Sequence, residues 1–212
     1  MKRVLLVVAV LMLLGSACTA ATKEASSSSS PAAPKPTTKF TTVADGCELL
    51  DRETIAKYAP AASCSLKLQD DSQTQNGDGE PILERWPRYE PASLAGRGGF
   101  RAVVEVGLKL NQDTYAENQA SAARGTSGAG SSQRPVAGVG DRAELYYRAG
   151  AEAENNLSMT QGVLVSSWGN ASLLVYYWHY QAATTDNGAG LSEQKMAKAL
   201  IAISRDVYDD LS

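Results

Sequence analysis

LSMTQGVLVSSW-GN-ASLLVYYWHY, residues 157 to 180, is the stretch on which the fold turns. Two runs rich in β-branched and aromatic residues flank Gly169-Asn170, a pair able to take the positive torsions of a two-residue hairpin turn. The reading is a hairpin, Leu157 to Trp168 against Ala171 to Tyr180. Upstream, Phe100, Ala102, Val104, Val106, Leu108 and Leu110 alternate with Arg101, Val103, Glu105, Gly107 and Lys109, which predicts a half-buried strand. Ala143, Leu145 and Tyr147 alternate with Glu144, Tyr146 and Arg148 as another. Cys64, Leu66 and Leu68 give a third, shorter one.

Helices fill the gaps. Asp51 opens one with Glu53 and Thr54 in its first turn and Leu50 and Ile55 at staple spacing; it stops by Tyr58, before Pro60. Asp113 or Thr114 opens a second, through Tyr115 to Ala123. From Leu191 to Leu211, Met196, Ala199, Leu200, Ile203 and Val207 recur at three or four residues, predicting an amphipathic C-terminal helix capped by Ser192. Residues 70–99, with Trp86, Pro87, Tyr89 and Pro91 embedded, show no sustained period and read as a long loop of the kind that often binds something. A Gly/Ser-rich loop from Gly125 to Ser132 and a turn from Pro135 to Gly140 complete the chain. The sum is α+β: an antiparallel sheet of about five strands packed against two or three helices, the C-terminal one included.

The N-terminus carries a different message. Lys2 and Arg3 precede an apolar run from Val4 to Leu14, then Gly15, Ser16 and Ala17, the three parts of a secretory signal. The run is about eleven residues, whereas a helix spanning a bilayer needs about 20. Residues 1–17 therefore read as a signal peptide that is removed. The ending Leu14-Gly15-Ser16-Ala17-Cys18 resembles the lipobox of bacterial lipoproteins, which implies a diacylglycerol on the Cys18 thiol and a fatty acid such as palmitate. More than one acyl chain is what makes such anchoring stable. Residues 18–42, rich in Ser, Ala, Thr, Pro and Lys, cannot form a core and read as a flexible tether. Residues 43–212 suit a single domain.

The full chain has a net charge of −3, and loss of Lys2 and Arg3 makes it more acidic. The basic residues are scattered singly, so no polyanion-binding face is drawn and nucleic acid is not an expected partner. With Cys18 lipidated, Cys47 and Cys64 are left as an even pair in an oxidising compartment, which predicts a disulfide. Closing a loop of about 18 residues is worth about 3 kcal/mol in the chain-entropy model.

The lipobox, the Ser/Thr/Pro tether, the helix opening Cys47-Glu48-Leu49-Leu50, the second cysteine, and the turn Gly138-Val139-Gly140-Asp141-Arg142-Ala143 ahead of a strand together resemble small actinobacterial lipoproteins grouped under a domain of unknown function. The resemblance implies an extracytoplasmic, lipid-anchored domain at the outer face of the cytoplasmic membrane. It carries no catalytic residues.

Motifs for chemistry are sparse. Gly138-x-Gly140-x-x-Ala143 is followed by a strand, where a dinucleotide fingerprint needs a helix. The single His179 lacks a partner nucleophile. One histidine and a disulfide pair cannot supply a zinc site, and the run Asp70, Asp71, Asp78, Glu80 places glutamines where a calcium loop wants Asp or Asn. Neither a metal nor a cofactor is expected. Carboxylates near strands, Glu105, Asp141 and Glu144, leave open a small envelope hydrolase working with two acids.

Aromatic residues are concentrated instead: Tyr146, Tyr147, Trp168, Tyr176, Tyr177, Trp178 and Tyr180 make up half of the 14 aromatic side chains. Neighbours in a strand point to opposite faces. With Tyr176, Trp178 and Tyr180 packed on helices, Tyr177 and His179 would face solvent or a ligand, and Trp86 and Tyr89 in the long loop would join them as a partner surface. The expectation is a non-catalytic envelope domain binding a protein, a glycan or a lipid. An enclosed apolar cavity would instead mark a carrier of lipid or another small apolar ligand.

Overall fold

A computed structural model describes residues 38–70, 74–93, 100–153, 157–182 and 190–211. The expected signal peptide, Cys18 and the expected tether up to residue 37 lie outside the described residues, as does part of the expected long loop. Along the chain run a 3-10 turn (Gly46–Glu48), α1 (Arg52–Tyr58), β1 (Ala62–Asp70), β2 (Leu83–Pro91), β3 (Arg101–Leu110), α2 (Tyr115–Gly125), β4 (Ser131–Pro135), β5 (Arg142–Ala153), β6 (Leu157–Trp168), β7 (Ala171–Ala182) and α3 (Glu193–Asp209).

The strands form one antiparallel sheet in the order β1-β2-β3-β7-β6-β5-β4. After β3 the chain crosses through α2 to the far edge and returns as the meander β4 to β7, which lands β7 beside β3. The expected hairpin is the centre of this return, paired from Leu157↔Ala182 to Trp168↔Ala171. Gly169 supplies a positive φ of 57° at the first turn position, where a primed turn needs it.

Helices cover both faces. Met196, Leu200, Ile203 and Val207 of α3 lie on Leu145, Leu164, Leu173 and Val175, with Leu49, Leu50, Ala59 and Tyr89 extending this main core toward β1. Tyr115 and Ala122 of α2 make a smaller core with Tyr146, Val163, Val165 and Leu174 on the opposite face. α3 reaches the sheet closely because Gly162 has no side chain: a Cβ there would stand 2.4 Å from Met196 Cγ and 2.8 Å from Leu200 Cδ1. Ser192 caps α3 as expected, accepting from the Lys195 N–H, and α1 begins after Asp51 and ends ahead of Pro60. Cys47 and Cys64 form the expected disulfide, tying the 3-10 turn to β1.

Seven strands replace the expected five or so. β2 occupies ground read as loop. Its core-facing residues are Arg85, Pro87, Tyr89 and Pro91, all buried, so burial alternates cleanly while hydropathy does not. Pro87 is tolerated inside the sheet because the β2–β3 pairing skips Trp86 and Pro87 and β1 bulges between Leu66 and Leu68; a missing N–H costs little at such an irregularity. β4, with the sequence SSQRP, is mostly exposed and holds no apolar residue other than its proline; only its pairing with β5 defines it. β3, expected to be half-buried, is buried on both sides from Ala102 to Leu108, since Ala102, Val104, Val106 and Leu108 join the main core and Trp86 and Arg88 of β2 lie against Gly107 and Glu105 on the other side.

Candidate functional site

Among the described residues, α2 is the helix on this face and contacts β5, β6 and β7; the β1–β3 part, the open face, is covered by the sheet's own half-buried side chains, with Val103 and Glu105 buried among them. Strand alternation delivers Trp86 and Arg88 from β2, Glu105 from β3 and Tyr176 and Trp178 from β7 to this open face, through the pairings Arg88↔Glu105 and Glu105↔Tyr176.

Glu105 is the centre. It is 5% exposed, and its carboxylate accepts from Trp86 Nε1 at 2.7 Å and Arg88 Nη1 at 2.9 Å while pairing with Lys67 Nζ at 2.7 Å. Burial pushes its carboxyl pKa up, but hydrogen bonds from Lys67, Trp86 and Arg88 and the lysine charge outweigh that, and the group lies below the ordinary carboxylate value. A buried carboxylate is retained only with such partners. Arg88 also grips Glu90 at 2.8 Å, and Lys109 pairs with Glu84 at 3.2 Å.

The aromatic groups are oriented by this frame. Trp86 Cζ3, Cη2 and Cε3 lie 3.1, 3.2 and 3.3 Å from the point where a Cβ on Gly107 would stand. Three neighbouring atoms at near-equal distance mean that the ring lies face-down over the glycine, with the indole N–H at its rim pointing to Glu105. Trp178 stacks parallel on Tyr176, centroids 5.2 Å apart, and Arg88 Cζ stands 5.6 Å from the Trp178 ring. Trp86, Tyr176, Trp178 and Tyr180 are all half-buried, and Leu68, paired with Trp86, is exposed.

Of the four side chains expected at a partner surface, Trp86 is on this face. Tyr89 and Tyr177 are core residues, 1% and 3% exposed, whose hydroxyls donate to the carbonyls of Gly46 and Tyr58; desolvation raises both pKa values. His179 is 6% exposed and stacks on Phe100 at 5.0 Å, its Nδ1 without a partner, and burial lowers its pKa. The expected sidedness of β7 is thus reversed. The larger core, under α1 and α3, takes Tyr177 and His179 and leaves Tyr176, Trp178 and Tyr180 on the side that α2 only partly covers.

The acids considered for hydrolysis sit in separate networks. Asp141 accepts from the Gly169 N–H, and Glu144 is held by Gln119, Gln133 and Tyr146. Among the described residues no three His, Cys, Asp or Glu side chains converge as metal ligands. A pocket of about 370 Å³ beside the disulfide is lined by Glu48, Leu50, Asp51, Arg52, Ile55 and Tyr89 among others. Comparison with protein families, characterised proteins and solved structures finds no match to this chain.

Proposed function

We propose that this chain is a cell-surface lipoprotein, held at the outer face of the cytoplasmic membrane by lipid on Cys18, whose α+β domain is a non-catalytic binding module. The N-terminal signal and the Leu14 to Cys18 ending support the anchor, as does the resemblance to small actinobacterial lipoproteins. No helix among the described residues is long and apolar enough to cross a membrane.

The observation that carries the binding role is the fixed Trp86. Trp86 is half-buried and packs at the margin of the α2-side core, and the pinning of its rim to a buried carboxylate, with the ring over Gly107, holds the remaining exposed part of the indole in one orientation. Surface aromatic groups held rigid are the usual anchors of recognition. Glu105 itself is a poor acid or base, because its oxygens are occupied and its proton affinity is lowered. Replacing Cys18 by Ser is expected to move the protein from the membrane fraction to the medium; retention in the membrane fraction refutes lipid anchoring. A Trp86→Ala variant that still folds is expected to lose partners crosslinked on intact cells, and an unchanged crosslinking pattern refutes the surface.

A further inference from the structure

We propose that the open face binds an uncharged glycan, a sugar ring lying on Trp86 and its hydroxyls taken by Arg88 and Lys67; this rests on the reading of that face as the binding surface. The Trp86 ring has one side down on Gly107. The half-buried ring keeps part of its surface in solvent; an indole face carries the negative end of the ring quadrupole, and the C–H bonds of a pyranose face are its electrostatic complement. Because the rim N–H is held by Glu105 at 2.7 Å, the plane is set before anything arrives, which removes part of the ordering cost of binding.

Charge decides against an ionic ligand. Lys67, Arg88 and Lys109 are each already in an ion pair with Glu105, Glu90 or Glu84, and Arg101, on the same face of β3, donates to the Phe100 carbonyl. A polyanion would have to displace a carboxylate from each paired cation, and a polycation the reverse. Donors nevertheless remain. Of the five N–H bonds of a guanidinium, Arg88 directs Nε at Glu90 and Nη1 at Glu105, and among the described residues Nη2 has no acceptor. The Lys67 ammonium has three N–H bonds and, among the described residues, pairs with Glu105. These hydrogens border the indole and suit hydroxyl oxygens. A stable protein partner covers about 800 Å² per side with few charges at its centre, whereas here the ion pairs of Lys67, Arg88 and Glu105 stand beside the indole.

The test uses the full-length protein in detergent. Dextran, mannan and a galactan serve as neutral probes, with polyglutamate and phosphatidylglycerol vesicles as charged ones, read by affinity electrophoresis and tryptophan fluorescence. At least one neutral polymer is expected to bind, with little change on raising salt to about 0.5 M, since surface ionic attraction is screened there. Trp86→Ala is expected to weaken it about tenfold or more, as for a central aromatic anchor. Gly107→Val keeps every polar group and lifts the ring, so it is expected to weaken binding as well, while Trp86→Phe retains part of it; thermal melts confirm that each variant folds. Binding to none of the neutral polymers, or salt-sensitive binding to polyglutamate or the vesicles alone, overturns the glycan. If glycans fail while a protein crosslink lost in Trp86→Ala persists, the surface stands with a different ligand. If Trp86→Ala changes neither readout, the surface falls too.

Discussion

Glu105 shows what a single side chain decides. Taking its carboxylate out of water is costly, and three donors at 2.7 to 2.9 Å offset that cost. Glu105→Gln leaves Lys67 and Arg88 without their shared anion and Trp86 with a weaker acceptor, and is expected to cost about 2 kcal/mol; Lys67 and Arg88 are partly solvated, which keeps the loss below that of a fully buried pair. The folded-state pKa of Glu105 is depressed, so the unfolded chain binds its proton first as pH falls. Its contribution is complete above the ordinary carboxylate pKa of 4.5 and is lost as pH drops through the lowered folded value. Urea melts of wild type and Glu105→Gln should therefore differ at pH 7 and converge in acid. A gap that does not narrow as pH falls below the ordinary carboxylate value would contradict the assignment.

At the level of elements, Gly162 fixes how closely α3 lies on β6. Met196 is fully buried and cannot swing away, so Gly162→Ala is expected to cost about 1–3 kcal/mol by overpacking. Combined with Met196→Ala, it should cost less than the sum of the two single variants in thermal melts, because the added methyl and the removed side chain meet at one place. The same elements show what the sequence could convey. The β6–β7 hairpin, β3 and α3 were legible because alternation and the three-or-four spacing survive along them; the Cys47–Cys64 link was legible because two cysteines remained. β2 was illegible because its inward row is Arg85, Pro87, Tyr89 and Pro91, and β4 because its edge position makes no demand for apolar residues. Losing β2 hid most of the site, since Trp86, Arg88 and Glu90 become neighbours only when that run alternates. The two faces of β7 were exchanged for a related reason: local pattern sorts Tyr177 from Trp178 but does not tell which side receives the larger helical cover.

Across the whole molecule, the start of the domain is fastened to the far end of the sequence's main hairpin. Asn170 Oδ1 accepts from the Phe40 N–H at 2.6 Å, and its Nδ2 donates to the Phe40 carbonyl at 2.8 Å and to Asn111 Oδ1 at 2.6 Å. Phe40 packs edge-on against Trp168, centroids 5.3 Å apart, and Trp168 against Tyr208. Asn170→Ala removes three part-buried hydrogen bonds and is expected to cost about 1–3 kcal/mol and to speed proteolysis near residue 40; an unchanged cleavage rate would show that Phe40 alone holds the segment. This fastening also sets how the protein bears mechanical load. A force drawn along the backbone upstream of Thr38 meets the Lys39–Glu80 pair and then Asn170. Once these and the later holds of Arg85 on Ala44 and Tyr89 on Gly46 yield, residues 40–46 can run out by at most about 25 Å before the Cys47–Cys64 bond arrests them at β1, so the sheet keeps its shape behind a short slack and a covalent stop.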